Sequence, residues 1–338
     1  MKRFCQSLIF AGQVALAIRC RHSYNPLYKS VKTPRILIIR GGAIGDFICT
    51  LPALAALRER WPEAQLEILG YPHIAELAHG RRYADALRSI EARAMAGFFV
   101  PKGILDPAWM EYFGSFHVVI SYLFDPDEIF ADNVRRCGVK QFIAASPKPR
   151  DLPAAAHYCR PLETLAIYVA QPVPRVFPNA ADQQVAEQFL ARLRPDRIAA
   201  LHPGSGSAKK NWPVEKFAAL ARWLVDELAL QLVMVRGEAD EAVVAQLMAA
   251  LAPRPVMLAT GLKLVELAAV LERCTVFTGN DSGITHLAAA VGTPTVALFG
   301  PASTPIWEPR ADRVRVVQFG PTDTARARQA VGELLGAL

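Results

Sequence analysis

The chain has few cysteines and no paired cysteine motif. None of its six cysteines forms a Cys-x-x-Cys pair; they are Cys5, Cys20, Cys49, Cys137, Cys159 and Cys274. Zinc sites and thioredoxin-type redox sites, which use such pairs, are therefore poor interpretations. Cys49 and Cys274 lie within apolar segments and are expected in the core. This pattern of cysteines predicts that the protein lies in a reducing compartment, the cytoplasm.

No apolar run near the N-terminus is long enough to span a membrane. The run from Ser7 to Ile18 has 12 residues, basic residues stand on both sides of it, and no convincing cleavage site follows. A bilayer span needs about 20 residues. We predict that residues 1–34 form a basic amphipathic extension on the inner membrane face. The alternative is an extra helix packed on the first domain.

Blocks of basic residues are also missing, although the chain is basic overall. Its 338 residues carry a net charge of +7, but no run of five Lys or Arg and no aromatic-basic nucleic-acid motif occurs. A nucleic-acid partner is therefore not expected, and a phosphate-bearing ligand or lipid headgroups fit better. The 52% hydrophobic content supports two ordinary domains or one large one.

Predicted strands alternate with predicted helices, which indicates an α/β protein with parallel sheets. A buried strand at 35–40 leads into a helix at 44–60, and the segment 92–114 is predicted to be an irregular loop or flap. Further strands of the first unit are predicted at 66–70, 118–121 and 141–144.

A proline-rich stretch at 171–178 marks the boundary between two units. We predict a first domain at 35–172, a second at 173–320 and a C-terminal helix within 321–338 that is a candidate to pack back on the first domain. Strands of the second unit are predicted at 198–201, 232–235, 256–258 and 295–299. Two such halves place a ligand cleft between the carboxyl ends of their sheets.

A glycine-rich turn follows the first strand. Arg40 stands where the dinucleotide fingerprint has its first glycine, and no acidic residue ends the second strand, so a Rossmann dehydrogenase is disfavoured. Gly41, Gly42 and Gly45 permit close approach by a ligand. Asp46 is expected in the first helical turn, either as a partner of the helix dipole or as a general base.

Two further turns present groups suited to phosphate or ribose. The loop of Ser205, Gly206 and Ser207 offers N–H groups and hydroxyls, and Lys210 adds a charge, without the spacing of a P-loop. ATP hydrolysis is therefore not expected. At the end of another strand, Glu238 and Glu241 are candidates for binding a ribose. The alternative is that they are ordinary acidic residues at the start of a helix.

The richest polar motif contains Asp281, Ser282, Gly283 and His286, between a β-branched run and a small-residue helix. The free N–H groups of a helix start bind anions. The alternative is a simple N-cap with His286 in the core. A metal is not expected, because Asp281 has no second carboxylate at ligand spacing and the histidines have no evident third partner.

Three motifs in order resemble glycosyltransferase family 9, the ADP-heptose:lipopolysaccharide heptosyltransferases and their relatives. They are GGAIGD with a following proline, HPGSGSAKKNWP, and GNDSGITHLAAAVGTPTVALFGP, and the resemblance covers about residues 35–310. It implies a GT-B fold: two Rossmann-like, doubly wound parallel-sheet domains facing a cleft. The first domain would bind the acceptor and the second the nucleotide-sugar.

The resemblance also implies roles for the site residues. Asp46 matches the catalytic base, and Gly41, Gly42 and Gly45 form the loop on the acceptor side. The donor diphosphate would be bound by Ser205, Gly206, Ser207, Lys210, Ser282 and Gly283. The donor nucleoside or sugar would be bound by Asp281, His286 and one of Glu238 and Glu241, between which the sequence does not choose.

The expected function is inverting, metal-independent transfer of a sugar, heptose from ADP-heptose, onto a lipopolysaccharide core or related envelope glycan. The nucleotide-sugar is a co-substrate, no cofactor is expected, and the acceptor is lipid-linked or an oligosaccharide. Residues 1–34 and 92–114 match nothing in the family, so the donor sugar and acceptor stay open. The alternatives are another nucleotide-sugar donor and a non-catalytic nucleotide-sugar-binding protein.

Overall fold

The structure, a computed structural model, describes residues 33–336, apart from the side chain of Glu238. The extension predicted at 1–34 lies outside the described residues except for Thr33 and Pro34, and it stays a prediction. No helix in this described part has both the length and the apolar character needed to cross a membrane.

The first sheet has five parallel strands in the order β3-β2-β1-β4-β5. Its strands are β1 (Arg35–Arg40), β2 (Gln65–Gly70), β3 (Ala86–Ser89), β4 (Val118–Ser121) and β5 (Gln141–Ala144). Its helices are α1 (Ile44–Arg60), α2 (Pro72–Ala75), α3 (Pro107–Gly114), α4 (Ile129–Arg135) and α5 (Ala154–Cys159). The apolar run of β1 is central and buried on both faces, as in parallel sheets.

The first unit differs from the prediction at β3, in the segment 92–114, and in the short helices α2, α4 and α5, for which no bounds were predicted. Sequence reasoning missed β3, a short edge strand without an apolar run. The segment 92–114, predicted to be irregular, contains a 3₁₀ helix at Arg93–Phe99 and α3. Asp106 caps α3 through the N–H groups of Ala108 and Trp109, a start signal that the prediction overlooked.

The second sheet has six parallel strands in the order β11-β10-β9-β6-β7-β8. They are β6 (Ile198–His202), β7 (Gln231–Val235), β8 (Val256–Ala259), β9 (Val276–Asn280), β10 (Thr295–Phe299) and β11 (Val314–Gln318). The helices after the linker are α6 (Ala180–Leu190), α7 (Val214–Asp226), α8 (Glu241–Leu251), α9 (Leu264–Glu272), α10 (Gly283–Ala290) and α11 (Asp323–Leu335). Both sheets have the doubly wound order, so the predicted two-domain α/β architecture is confirmed.

The last helix does not pack back on the first domain. Helix α11 packs on α7, β9, β10 and β11 of the second domain. Its apolar side, including Ala327 and Val331, joins the core of that domain. Its first residue, Asp323, is bound by Trp212 Nε1 at 2.8 Å and Lys216 Nζ at 2.8 Å. The buried Trp212 and the partly exposed Lys216 together fix the start of α11 on the second domain.

The proline-rich linker is attached to the first domain by side-chain contacts. The Tyr83 hydroxyl donates to the carbonyl of Arg175 at 2.8 Å. Just beyond the linker, Arg81 Nη2 lies 2.6 Å from Asp182 Oδ2, and both side chains are more than nine-tenths buried. Both contacts attach this part of the chain to the first domain, and the N–H of Val176 attaches it to the second by donating to the carbonyl of Ala290 at 2.9 Å.

The two domains meet most closely at the starts of α1 and α10. A β-carbon built on Gly283 would lie 2.7 Å from Ile44 Cβ and 3.0 Å from the backbone nitrogen of Gly45. A β-carbon built on Gly45 would lie 3.6 Å from Gly283 Cα. A side chain at position 283 therefore requires the helices to separate.

Substitution of Gly283 tests this contact. We expect Gly283→Ala to lower the free energy of unfolding by about 1–3 kcal/mol, because its methyl group meets backbone that has no free space. Gly206→Ala is the matched control, since no atom lies within 4 Å of its β-carbon position. It should change stability by less than about 0.5 kcal/mol. Urea unfolding measures both, and equal stabilities for the two variants would contradict the close contact.

Candidate functional site

The predicted site residues lie on turns at the switch points of the two sheets. Strand order reverses between β1 and β4 and again between β6 and β9. In doubly wound folds the ligand crevice opens there, at the carboxyl ends of the strands. The turns after β1, β6 and β9 carry Asp46, the serine loop and the Asp281 motif respectively.

Asp46 is held by three donors from two parts of the first domain. Arg40 Nη2 lies 3.0 Å from Oδ1, and the Tyr158 hydroxyl donates to the same oxygen at 2.9 Å. The N–H of Ala43 donates to Oδ2 at 3.0 Å. The side chain is 24% exposed. Asp46 thus caps the start of α1 and also keeps an accessible carboxylate, so its two predicted roles are compatible.

Sequence reasoning missed Arg40 and Tyr158. The side chain of Arg40 is only 1% exposed; Nε donates to Thr50 Oγ1 at 3.1 Å, and the guanidinium lies 4.4 Å from the centre of the Tyr158 ring. The sequence did offer a signal for Arg40, since a charged residue at the end of an apolar, doubly buried strand indicates a buried partner. Tyr158 follows Asp46 by 112 residues and lies in no motif, so nothing in the sequence indicated it.

A cavity of about 430 Å³ lies beside the contact of α1 and α10. Both domains line it, the first through Ala43, Ile44 and Ile74. Of the predicted donor residues, Ser205, Gly206, Ser282 and Gly283 line it. Its apolar end is formed by Val235, Ala259, Leu262, Leu264 and Leu267. Its size and mixed lining are typical of a small-molecule site.

The start of α10 presents backbone donors to this cavity. Ser282 is the N-cap and accepts from the N–H of Thr285 at 3.4 Å. The N–H groups of Gly283 and Ile284, in the first turn, have no helical acceptor, and both residues line the cavity. This arrangement, with the helix dipole, is suited to an anion such as a phosphate group.

Ser205 and Gly206 line the cavity from the second domain, whereas Ser207 and Lys210 do not. Ser205 Oγ lies 2.7 Å from the Ser207 carbonyl oxygen and 2.6 Å from Asn211 Oδ1, so this hydroxyl stabilises its own loop. Ser207 is exposed. Lys210 Nζ lies 2.8 Å from Asp281 Oδ2, and the Asp281 side chain is 5% exposed. The ion pair joins two of the predicted motifs.

Asp240, rather than Glu241, is the carboxylate that lines the cavity. Its Oδ2 lies 3.0 Å from His202 Nε2 and accepts from the N–H of Gly237 at 3.0 Å. Burial raises the pKa of Asp240, but the hydrogen bond and charge of His202 and the Gly237 N–H outweigh it and leave the pKa below its ordinary value. Glu241 is exposed and does not line the cavity, and the Glu238 side chain lies outside the described residues.

His202 and Gly204 are what hold Asp240 in this position. His202 Nδ1 lies 3.2 Å from Ser282 Oγ, so the imidazole bridges Asp240 and the start of α10. A β-carbon on Gly204 would collide with Asp240 Oδ1 at 1.7 Å. The sequence offered a signal for this arrangement: a histidine ends an apolar strand, and a glycine follows two residues later.

His286 is buried next to the contact of α1 and α10. Its Nδ1 lies 3.7 Å from Cys49 Sγ. Burial lowers the pKa of His286 to about 4, although the charges of Asp281 and Asp46 oppose this shift. The imidazole is therefore neutral at pH 7. It does not line the 430 Å³ cavity but a second one of about 470 Å³, together with Cys49 and the proline-rich linker. This is the core position that the sequence left open as the alternative.

Within residues 33–336, no group of three or more His, Cys, Asp and Glu side chains is arranged to hold a metal ion. Burial, with a smaller contribution from the charge of Asp46, raises the pKa of Cys49 to about 12, so its thiol is protonated at pH 7.

Comparisons with known proteins agree with this architecture. The family model described as glycosyltransferase family 9 (heptosyltransferase) matches residues 141–333, more than half of the chain. Lipopolysaccharide heptosyltransferase 2 of Escherichia coli K12 is 34% identical over 123 residues, which are 35% of each protein, so the matched part spans about a third of that relative. Lipopolysaccharide heptosyltransferase 2 of Salmonella typhimurium LT2 is 24% identical over 319 residues, covering 84% of this chain and 88% of that protein.

Solved structures show the same fold. The structure of E. coli ADP-heptose lipopolysaccharide heptosyltransferase II superposes with a TM-score of 0.70 at 18% identity, covering 89% of this chain and 98% of that one. The two-domain arrangement is therefore the GT-B arrangement that the resemblance implied. Together with the match of the family model, it establishes that the chain belongs to glycosyltransferase family 9.

Proposed function

We propose that this protein transfers heptose from ADP-heptose to a hydroxyl group of a lipopolysaccharide core or related envelope glycan. The transfer inverts the anomeric carbon and needs no metal ion. The names of the similar heptosyltransferases and the ADP-heptose in the name of the similar structure support the donor and the acceptor class.

The observation that carries the proposal is the meeting of α1 and α10. Asp46 lies in the first turn of one helix, and the free N–H groups of Gly283 and Ile284 lie in the first turn of the other. Gly45 and Gly283 bring these two turns into contact. A base for the acceptor and a binding site for the donor phosphates are thereby adjacent, as direct transfer requires.

Asp46 acts as the general base. The acceptor hydroxyl gives its proton to the carboxylate while its oxygen bonds to the anomeric carbon of the donor. The bond from that carbon to the diphosphate oxygen breaks on the opposite face, which inverts the configuration. The nucleoside diphosphate leaves with the electron pair, so negative charge grows on its phosphates.

That growing charge is stabilised by the second domain. The start of α10 supplies N–H donors, and Lys210 supplies a cation held beside Asp281 at 2.8 Å. Groups preorganised around a developing anion lower the barrier without a metal ion. In this proposal Ser205, Gly206 and Ser207 bind the diphosphate, and Asp281 with Lys210 orients the sugar.

The nucleoside occupies the apolar end of the 430 Å³ cavity. Ala259 and Leu262 pack on the base, and the turn after β7 faces the ribose. We assign the ribose contact to Asp240, because it lines the cavity while Glu241 is exposed. Gly204 and His202 hold its carboxylate in that position.

The acceptor approaches Asp46 from the side of Gly41 and Gly42. We place the reaction on the cytoplasmic side of the inner membrane, with the basic extension at 1–34 as the membrane contact. The net charge of +7 suits an anionic, lipid-linked acceptor. The alternatives are another nucleotide-sugar donor and a protein that binds a nucleotide-sugar without turnover.

Replacing the base tests the reaction itself. With ADP-heptose, a heptose-deficient lipopolysaccharide core and EDTA, the wild type should release ADP and form the glycosylated product. We expect Asp46→Asn to fold normally and lower kcat by about 10²–10⁴-fold, the usual contribution of a general base. Near-normal kcat in Asp46→Asn would remove Asp46 as the base. Loss of wild-type activity in EDTA would contradict metal independence, and turnover with UDP- or GDP-sugars alone would favour another donor.

Substitutions of Lys209 and Lys210 distinguish the effect of one positioned positive charge from the effect of the overall charge of the loop. Lys210→Met should lower kcat/KM by about 10²-fold, because the leaving diphosphate loses a preorganised cation. Lys209 is exposed and carries the same charge one residue earlier, so Lys209→Met is the matched control and should change kcat/KM little. Steady-state ADP release measures both variants. Equal losses would show that only the overall charge of the loop matters.

A further inference from the structure

The hydroxyl of Tyr158 faces two acceptors at equal distance. It lies 2.9 Å from Asp46 Oδ1 and 2.9 Å from the carbonyl oxygen of Pro147. A phenol has a single proton, so it can serve these two acceptors only in turn or by sharing. Neither acceptor requires the ring to move, since both lie within reach of the same oxygen atom.

The Tyr158 ring itself is fixed. Tyr158 is fully buried, and its backbone carbonyl accepts from the Tyr122 hydroxyl at 2.6 Å. The Arg40 guanidinium lies 4.4 Å from the centre of the Tyr158 ring. Burial raises the pKa of Tyr158, although Arg40 opposes the shift. The hydroxyl therefore stays protonated and acts as a donor at any working pH.

The two oxygens of Asp46 have different surroundings. Oδ1 is bound by Arg40 and Tyr158, whereas Oδ2 accepts from the N–H of Ala43. Oδ2 also lies beside Gly42, since a β-carbon built on that glycine would be 3.1 Å away. Oδ2 is thus the oxygen on the side of the glycine turn, where the proposed acceptor approaches.

We propose that Tyr158 is a positioning residue that holds Asp46 Oδ1 while the carboxylate is ionised and turns its hydroxyl to the Pro147 carbonyl once Asp46 is protonated. This inference rests on the proposed function of Asp46 as the base. The ionised carboxylate is the stronger acceptor, so the phenol prefers it before transfer. When Oδ2 has taken the acceptor proton, Oδ1 becomes a weaker acceptor, and the Pro147 carbonyl keeps the phenol satisfied.

Tyr158→Phe is the direct test. The variant removes one donor that favours the charged form of Asp46, so protonation should occur at higher pH. We expect the acid limb of the kcat/KM profile to move upward by about one pH unit, the size of one hydrogen bond to a charged group. The KM for ADP-heptose should stay unchanged, because Tyr158 does not line the donor cavity.

Tyr122→Phe is the matched control. It removes the same atom from a neighbouring buried tyrosine, but the Tyr122 hydroxyl is bound to the Tyr158 carbonyl and not to Asp46. Both variants should lose thermal stability, while only Tyr158→Phe should shift the acid limb. Equal shifts, or no shift in Tyr158→Phe, would overturn the inference.

A second measurement does not require turnover. Carbon-13 NMR of the side-chain carboxyl of Asp46 follows its protonation directly, with Asp46→Asn identifying the signal. Its titration midpoint should rise in Tyr158→Phe and stay in place in Tyr122→Phe. If Asp46→Asn keeps transferase activity, the proposed base fails. If Asp46→Asn is inactive and the midpoint does not move in Tyr158→Phe, only the role of Tyr158 fails.

Discussion

The close approach of α1 and α10 at Gly45 and Gly283 is the constraint on which the site depends. Each helix starts at the carboxyl end of a central strand of its own sheet, β1 or β9. With no side chain between them, the two starts touch. A carboxylate of the first domain is then adjacent to the free backbone donors of the second. A larger residue at position 283 would separate the two groups that the proposed transfer must combine.

Charged side chains around this contact are paired within each domain. Arg40 holds Asp46, Lys210 holds Asp281, and His202 bridges Asp240 and Ser282. Such pairs fix side-chain geometry at low entropic cost when a substrate arrives. His286, buried between them and neutral, adds no charge of its own. Under the proposed function, this arrangement is preorganised to stabilise a departing diphosphate.

The sequence predicted the sheets and motifs well, because buried parallel strands are continuous apolar runs and the family motifs lie on the turns that follow them. It failed at features set by tertiary contacts. Tyr158 reaches Asp46 from a helix that no motif marks. Asp240 lines the cavity and Glu241 does not, because Gly204 leaves space for the Asp240 carboxylate and His202 binds it. The placement of α11 depends on Trp212 and Lys216, two partners of Asp323 that are distant from it in sequence. Local patterns cannot report such contacts.

The proposed function requires the donor diphosphate to lie at the start of α10, facing Asp46 across the contact of Gly45 and Gly283. A crystal structure of the protein with ADP-heptose bound to the inactive Asp46→Asn variant tests it most directly. We expect the diphosphate against the N–H groups of Gly283 and Ile284, the base between Ala259 and Leu262, and the anomeric carbon turned toward residue 46. Density for the nucleotide in the 470 Å³ cavity lined by His286, or a sugar turned away from residue 46, would contradict it.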